Sequence, residues 1–428
     1  GQPEPAMTSA NTSNPPILKL REAFQRHLSI PAEDLDVIDL VFAVLASHRI
    51  PGDPLWGMII DASGGGKTEV LRSVRHLKDL VVFVSKLTAK SLKSGYRDPK
   101  HPKDDPSLLP LLNGKVLIIK DLGPILSMRR DDRNAVLSDL RDAYDGFTDD
   151  AYGNIGKVNY ESRFSVLAAS TLAIERFSSV EQELGERFIK FRARGNDNRS
   201  KIRRAANNTG KNESCREEIQ RAVTEFMASL PPTVPMKMPD EMREAITVVA
   251  DFAATARSQV ARDRNHELVY APRPEVGTRL VNELMKLALS LAFIRGKAEP
   301  DAEELATVCR IAEDCLPPNR LEVLAAAVAC HSSRLPDKTA RNTTDDLEIL
   351  GIFNPDRTLK PEWTESLASV RKLLLTPALR KSATSGGSSI FIGNAESPYK
   401  TPPYTTDGLS EYSASIPTFP APDAEAAP

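Results

Sequence analysis

The chain has 428 residues, of which 41% are hydrophobic and 27% charged, and its formal net charge at pH 7 is −2. This length allows two or three domains with their own cores, and the composition is that of a globular protein rather than a disordered or fibrous one. The near-neutral charge balance excludes nucleic-acid binding through a global basic field, so such binding would need local basic patches.

Neither a metal site of cysteines nor a membrane segment is expected. The cysteines (Cys215, Cys309, Cys315 and Cys330) lack the spacing of metal ligands. We interpret them as reduced and structural, and with no visible signal peptide they predict a cytoplasmic location. No apolar run approaches the roughly 20 residues that cross a bilayer, so no membrane partner is expected.

The amino-terminal part divides into a polar segment and a helical one. Residues 1–16 are polar and contain several prolines, which predicts disorder. Residues 17–50 predict two amphipathic helices, the second within EDLDVIDLVFAVLAS.

The stretch with the clearest chemistry is WGMIIDASGGGKTEVLRSV, residues 56–74. An apolar run enters three consecutive glycines, a lysine and a threonine, and a helical pattern follows, which predicts strand, phosphate loop and helix. Glycines let backbone N–H groups close around phosphate oxygens, lysine reaches the β- and γ-phosphates, and the hydroxyl binds Mg²⁺. The residues assigned to nucleotide here are Ser63, Gly64, Gly65, Gly66, Lys67, Thr68 and Glu69.

One residue of this loop departs from the usual spacing. Asp61 stands where the first loop glycine is expected. Two interpretations remain open, since the carboxylate either weakens phosphate binding or points away while the later glycines form the loop. A glycine-rich turn without function is the alternative to the whole assignment.

Four further polar residues follow predicted strands or precede an apolar pair. Asp121 follows VLII and suits a Mg²⁺-holding acid at the edge of a parallel sheet, the alternative being an ordinary strand-terminating aspartate. Ser170 and Thr171 end SVLAAST, where they would sense the γ-phosphate or cap the helix LAIERF. Arg187, in LGERFIKF, suits an arginine finger for a neighbouring subunit's nucleotide or a surface ion pair with Glu186.

The domain organisation follows from these motifs. We predict an α/β core over residues 51–198, with strands at 80–85 and 116–119, and an all-helical lid over 199–317. Within the lid, Asp240 and Asp301 are expected N-caps, and Arg279 opens a helix from which it could reach the phosphates. The basic run RSKIRRAANNTGK at its start is interpreted as a solvated face.

The last folded segment, residues 318–376, is predicted to be a winged helix. Two helices precede IFNPDRTLKPEWTES, which is interpreted as strand, turn and strand. Lys338 and Arg341 would lie on or near the recognition helix and Arg357 on the wing. Residues 377–428 are predicted to be a disordered tail, in which the apolar piece SIFIG would pair, dock or bind a partner.

With these residues in hand, the chain resembles AAA+ ATPases over residues 17–317. The resemblance rests on GGGKT, VLIIKD, LAAST, GERF and the lid PEVGTRLVNELMKLALSLAFIRGKAEPDAEEL. A lid followed by a winged helix is similar to the minichromosome-maintenance and MoxR side of that superfamily. The segments GDPLWGMIID, GGGKTEVL and KDLGPILSMRRDDRNAVLSDLRDAYDG are also similar to ATP-binding proteins of phages, plasmids and integrative elements.

This resemblance implies an AAA+ core, a helical lid, ATP and Mg²⁺ as cofactors, and Lys67, Asp121 and Arg187 as catalytic residues. It implies Arg279 as second sensor, and a hairpin lysine, Lys157, touching DNA, although a plain turn is the alternative. Motors of this kind usually have glutamate after the acidic strand, where this chain has Leu122. Asp145 and Glu161 are weak candidates for that role, so hydrolysis is less well supported than binding.

Three functions compete. The leading one is an oligomeric ATPase acting on DNA, of the helicase or helicase-loader type, with ATP bound between subunits. The second is a MoxR-like protein-remodelling ATPase whose winged helix and tail hold a protein partner. The third is a slow or non-hydrolysing nucleotide-gated DNA-binding scaffold.

Overall fold

A computed structural model describes residues 16–88, 90–94, 106–153, 156–176, 186–195, 197–233, 235–265, 267–375 and 389–391. The segments predicted to be disordered, 1–16 and 377–428, lie outside the described residues except for residue 16 and residues 389–391.

The strands form one parallel sheet and one hairpin. They are β1 (Trp56–Ile60), β2 (Val81–Val84), β3 (Val116–Ile119), β4 (Phe147–Tyr152), β5 (Gly156–Glu161), β6 (Ser165–Ser170) and β7 (Ile189–Arg192). The sheet order is β2-β3-β6-β1-β7, with every neighbouring pair parallel, while β4 and β5 pair antiparallel. The predicted α/β class, parallel sheet and hairpin are confirmed.

Helices surround the sheet. Those before its last strand are α1 (Pro16–His27), α2 (Asp36–Ala46), α3 (Lys67–Arg72), α4 (Leu109–Leu112), α5 (Gly123–Leu126) and α6 (Arg130–Tyr144). Those after it are α7 (Asn198–Asn207), α8 (Asn212–Ser229), α9 (Asp240–Arg257), α10 (Thr278–Ile294), α11 (Ala302–Asp314), α12 (Pro318–Val328), α13 (Asp337–Ile349) and α14 (Pro361–Leu374). We call α7 to α11 the helical block. Among the described helices, none has both the length and the apolar character for crossing a bilayer.

Alternate residues of the sheet enter separate cores on its two faces, as the two-residue period of a strand requires. Ile59 and Ile118 pack in the core that contains α1, α2 and the helical block. Met58 and Ile119 pack in the core that contains α5 and α6. The sheet is therefore covered on both faces.

Helix α2 differs from its prediction, because it is buried on all sides rather than amphipathic. Every residue from Val37 to Ala46 is buried. The helix contacts β1 and β6 and also α10. Gly57 in β1 permits this approach, since a Cβ atom there would lie 3.3 Å from Leu167 and 3.4 Å from Val44. A helix enclosed between a sheet and other helices needs apolar residues all round.

The charged exception in α2 is Asp39, which is fully buried. Its Oδ1 accepts a hydrogen bond from Arg21 Nε of α1 at 2.7 Å, and its Oδ2 accepts one from Arg295 Nη2 at 2.5 Å. Arg295 follows α10 directly and donates through Nη1 to Glu304 Oε1 of α11 at 2.7 Å. Burial acts to lower the pKa of Arg295, but the charges of Asp39, Glu303 and Glu304 and the hydrogen bond to Asp39 together raise it. One carboxylate thus connects both amino-terminal helices with the helical block.

The apolar and charged residues of β7 alternate as in a strand, but over four residues only, and no strand was predicted there. Lys190 and Arg192 are nevertheless buried. Arg192 donates through Nε to Asp314 O at 2.7 Å and pairs with Glu175, while Lys190 Nζ lies 3.5 Å from Glu186. An acidic partner for each side chain makes these buried cations tolerable.

Of the two N-cap residues predicted in the helical block, one is confirmed and one is wrong. Asp301 caps α11, forming a capping box with Glu304. The N-cap assignment of Asp240 is wrong, since Pro239 occupies that position and Asp240 is the first helical residue.

The second strand of the predicted wing is also wrong. Phe353 and Leu359 form an isolated antiparallel bridge, but residues from Pro361 onward form α14. Proline suits the first turn of a helix because its φ is already helical. Helix α14 buries Leu367 and Val370 and packs against α9 and α11, so tertiary contacts favour the helix. The helices predicted before the wing are present as α12 and α13.

The described part of the tail docks on the chain's own helices. Phe391 is buried with its ring centroid 5.8 Å from that of Phe252. Ile390 N donates to Glu313 Oε1 at 2.7 Å, and Arg371 donates to Ile390 O at 2.8 Å. The docking predicted for SIFIG is therefore intramolecular at residues 389–391.

We expect Asp39→Asn to lower the free energy of unfolding by about 3–5 kcal/mol, because it leaves two cations, Arg21 and Arg295, without their shared anion. Urea unfolding followed by circular dichroism measures the change. Asp240→Asn is the matched control, since its exposed carboxylate lies 3.8 Å from Arg243 Nε and its loss should leave the midpoint unchanged. Equal midpoints for both variants would contradict the structural role of Asp39.

Candidate functional site

The glycine-rich loop between β1 and α3 has the backbone of an anion-binding turn. Gly64 has a φ of 80° and Gly66 a φ of 98°, both in the left-handed region that favours glycine. Gly65 N donates to Ala62 O at 3.2 Å, which closes the turn. Successive amides in such a turn form a concave donor surface.

Lys67 folds back onto this loop. Its Nζ donates to Ala62 O at 2.8 Å and to Asp61 O at 3.2 Å. Burial lowers the pKa of Lys67, against the opposing charges of Asp61 and Asp121. The ammonium group and the two carboxylates that the sequence analysis singled out are therefore neighbours.

The Asp61 carboxylate does not point away from the loop. Its Oδ1 accepts from Ala62 N at 2.7 Å. A Cβ atom on Gly65 would lie 1.8 Å from Asp61 Oδ2, so a side chain at that position would displace the carboxylate. Across from the loop, Lys201 Nζ of α7 lies 3.9 Å from Asp61 Oδ2.

The carboxyl ends of β1, β6 and β3 meet beside the loop. Asp61 N donates to Ser170 O at 3.3 Å, and Leu122 N donates to Ala169 O at 2.8 Å. Asp121 Oδ1 accepts from Gly123 N at 2.9 Å, which orients its carboxylate. Leu122 is buried. Three strand ends thus bring two acidic side chains, Asp61 and Asp121, and the hydroxyl of Ser170 to one edge of the sheet.

Ser170 and Thr171 differ in burial and in hydrogen bonding. Ser170 is fully buried and its hydroxyl donates to Thr171 O at 3.2 Å. Thr171 Oγ1 accepts from Ala173 N at 3.4 Å, at the start of a 3₁₀ helix from Leu172 to Arg176. The capping interpretation is therefore supported for Thr171.

The loop opens into a cavity of about 320 Å³, within the range of small-molecule sites. Its walls are the loop, residues 27–31 after α1, and helices α7 and α8. Of the residues predicted to bind nucleotide, those that line it are Gly64, Gly65, Gly66, Lys67 and Glu69; Ser63, Thr68, Asp121, Ser170, Thr171, Arg187 and Arg279 do not.

Three cavity-wall cations were missed by sequence reasoning: Lys201, Arg204 and Arg216. Arg216 Nε donates to Glu69 Oε2 at 3.0 Å and Arg216 Nη2 to Glu69 Oε1 at 3.2 Å, so Glu69 connects the loop helix with α8. For Lys201 and Arg204 the signal in the sequence was the basic run at the start of the lid, which is interpreted above as a solvated face; Arg216 lies beyond that run.

The second-sensor prediction for Arg279 is not supported within one chain. Arg279 lies with its guanidinium carbon 5.8 Å from the Tyr144 ring centroid, and that of Arg187 lies 5.4 Å from the same centroid. Burial and the neighbouring Arg279 charge lower the pKa of Arg187. The helical block folds so that α7 and α8 cover the loop, while α10 carries Arg279 to Tyr144. Glu186 is the residue that the alternative interpretation pairs with Arg187. Its Oε2 lies 3.7 Å from Arg257 Nη1.

Beneath the two arginines lies a buried acid. The Tyr144 hydroxyl donates to Glu283 Oε1 of α10 at 2.8 Å. Burial raises the pKa of Glu283 to about 8 despite the charge of Arg257. Glu283 Oε2 has no hydrogen-bond partner among the described residues and is free to carry the proton.

The residues predicted to touch DNA lie at separate exposed places. Lys157, near the tip of the β4–β5 hairpin, has Nζ 3.5 Å from Asp149 Oδ1. Lys338 and Arg341 are exposed on α13, and Arg357 is exposed in the turn before α14. The hairpin is confirmed, but its lysine faces an acidic neighbour.

Neither the known protein families nor the curated proteins yield a match to this chain. The assignment of the site therefore rests on the geometry described above.

Glu283 predicts a pH dependence of stability. Its native pKa lies above its ordinary value, so the folded state keeps a proton that the unfolded state loses, and this stabilisation disappears as pH rises from about 5 to about 8. We expect the melting temperature to fall over that interval in the parent protein and to fall less in Glu283→Gln, whose amide resembles the protonated acid. Differential scanning calorimetry at several pH values measures this; parallel curves would contradict it.

Proposed function

We propose that the protein is an ATPase of the AAA+ type that binds ATP with Mg²⁺ in the cavity beside the glycine-rich loop. The observation that carries this proposal is the loop itself. Left-handed Gly64 and Gly66 turn the backbone around Lys67, and the loop opens into a cavity of about 320 Å³ with further cations on its far wall. Amides and lysine ammonium groups are the donors that phosphate requires.

Each residue at the edge of the sheet would have a defined role. The loop amides and Lys67 would hold the phosphates, while Thr68 and Asp121 would hold Mg²⁺. Bound Mg²⁺ would neutralise phosphate charge and orient the terminal phosphate. The charge of Asp121 acts on Lys67 in the structure, which supports their joint use.

We further propose that the active form is an oligomer in which Arg187 acts on a neighbouring subunit's nucleotide. Arg187 does not line the cavity of its own chain. Arg279 lies over the same Tyr144 ring. Arg187 is buried in the single chain, so acting on a neighbour's nucleotide would require its side chain to turn outward on assembly. In this proposal Arg279 acts on the neighbouring subunit's nucleotide rather than on the nucleotide bound to its own chain.

A mixing experiment tests the shared site. We expect Lys67→Ala and Arg187→Ala each to reduce phosphate release by about 10²-fold or more, because each removes a charge that stabilises the transferring phosphoryl group. Mixing the two variants should restore part of the activity, since some interfaces then combine an intact loop with an intact arginine. Phosphate release in multiple turnovers measures both effects.

Each variant diluted with buffer instead of the other variant is the control. No recovery on mixing would contradict a site shared between subunits. Full activity of Lys67→Ala would contradict the ATPase proposal itself.

A second candidate is a slow nucleotide-gated switch, and Leu122 favours it. This buried leucine stands where the resemblance implies a water-orienting glutamate. Asp145 and Glu161, the weak candidates for that role, are exposed and do not line the cavity. Nucleotide binding that depends on Lys67, combined with no multiple-turnover release, would favour the switch.

DNA is the proposed macromolecular partner, in a helicase, loader or scaffold role of a mobile element. The proposal is supported by the helices α12 and α13, which precede the isolated bridge between Phe353 and Leu359, and by the exposure of Lys338, Arg341 and Arg357. We expect filter retention of DNA with an ATP analogue and Mg²⁺ at low salt, falling steeply with salt because phosphate contacts release counterions.

The triple variant Lys338→Gln, Arg341→Gln, Arg357→Gln should weaken that retention. The variant Lys157→Gln tests separately whether the β4–β5 hairpin contributes to DNA binding. Absence of retention at low salt would eliminate the DNA proposal while leaving the nucleotide site untouched.

A further inference from the structure

Lys201 occupies an unexpected position for a residue in a basic surface run. It lies in the first turn of α7, facing the phosphate loop, with Nζ 3.9 Å from Asp61 Oδ2. The two side chains are only 16% and 13% exposed. Burial lowers the pKa of Lys67, and the charge of Lys201 acts in the same direction, so the two lysines are neighbours.

The other cations of the cavity wall are already hydrogen-bonded elsewhere. Arg204 Nη1 donates to Arg26 O at 3.1 Å, and Arg216 donates to both carboxylate oxygens of Glu69. The distance between Lys201 and Asp61 exceeds a hydrogen bond, so their attraction is a loose ion pair. Lys201 is therefore the wall cation most readily exchanged from one anion to another.

We propose that Lys201 is a second phosphate-binding lysine of the nucleotide site, paired with Asp61 until a phosphate group takes its place. The proposal rests on the proposed function, because it assigns a residue to the same cavity. Lysine suits this exchange because its compact charge sits on a flexible stem.

The pairing of Lys201 with Asp61 also explains how the loop tolerates an aspartate at the position where the first glycine is expected. Asp61 brings a negative charge against Gly65 and occupies the amide of Ala62. A cation from α7 offsets that charge, and on binding it would move from the carboxylate to the phosphate. Because Lys201 belongs to the helical block rather than to the loop, phosphate binding would draw α7 toward the loop.

A double-mutant cycle on Asp61 and Lys201 tests this proposal, with a fluorescent ATP analogue and Mg²⁺ as the probe. We expect Lys201→Met to weaken binding by about 10-fold or more, as loss of a charge-assisted hydrogen bond does. Asp61→Gly should tighten binding, because phosphate no longer competes with the carboxylate. In the Asp61→Gly background, Lys201→Met should again cost about 10-fold.

The controls come from the same helix and the same position. Arg203 is exposed on α7, so Arg203→Met should match the parent protein. Lys201→Arg should retain most of the affinity. Melting curves of every variant verify that the fold is intact.

Two outcomes would overturn the proposal. If Lys201→Met matched Arg203→Met, Lys201 would have no part in binding. If Lys201→Met lost affinity in the parent but not in the Asp61→Gly background, Lys201 would only neutralise Asp61.

The failure of the proposed function looks different. In that case the parent protein and Lys67→Ala would bind the analogue equally poorly. Binding that is lost in Lys67→Ala but unchanged in Lys201→Met would reject this inference alone.

Discussion

The shared carboxylate of Asp39 is the interaction on which the arrangement of this protein depends. It lies in a helix enclosed between the parallel sheet and the helical block, where an unpaired charge would be costly. Arg21 of α1 and Arg295 after α10 both donate to it, and Arg295 also donates to Glu304. Such networks specify orientation more than they add stability, because their charges must first be taken out of water. The helical block is thereby oriented relative to the sheet.

That orientation determines which residues meet at the phosphate loop. Helices α7 and α8 form the far wall of the cavity, and the ion pair of Arg216 with Glu69 attaches α8 to the loop helix. The amino-terminal end of α10 reaches Tyr144, where the guanidinium groups of Arg279 and Arg187 lie near the same ring. One block of helices therefore serves two places: it forms a wall of the cavity beside the glycine-rich loop, and through Arg279 it contacts the Tyr144 ring.

Charged residues inside this protein are paired between elements far apart in the sequence. Glu313 accepts from the docked tail at Ile390 with one oxygen, and its other oxygen lies 3.3 Å from Arg194 Nη2. Glu283, by contrast, has only the Tyr144 hydroxyl as a hydrogen-bond partner among the described residues, and burial raises its pKa to about 8. Buried acids of both kinds make the packing of the helical block sensitive to what surrounds each carboxyl group.

The sequence by itself determined the local elements whose signals are contained in a few neighbouring residues. The strand and glycine-rich loop around Lys67, the buried strand before Asp121, the hairpin before β6 and the capping box at Asp301 were all readable, because periodicity, glycine conformation and side-chain capping act over short distances. Strand β7 and helix α14 were not, since β7 has only four residues, two of them cations that are buried beside Glu186 and Glu175, and α14 packs on α9 and α11. The same distinction holds for the site. The glycine-rich loop was predicted from the sequence, whereas two side-chain pairs were not: Lys201 lies beside Asp61, and Arg279 lies beside Arg187, only because of where whole helices lie. Tertiary structure alone decided those pairings, because Coulomb attraction and burial depend on distances in space that the sequence does not record.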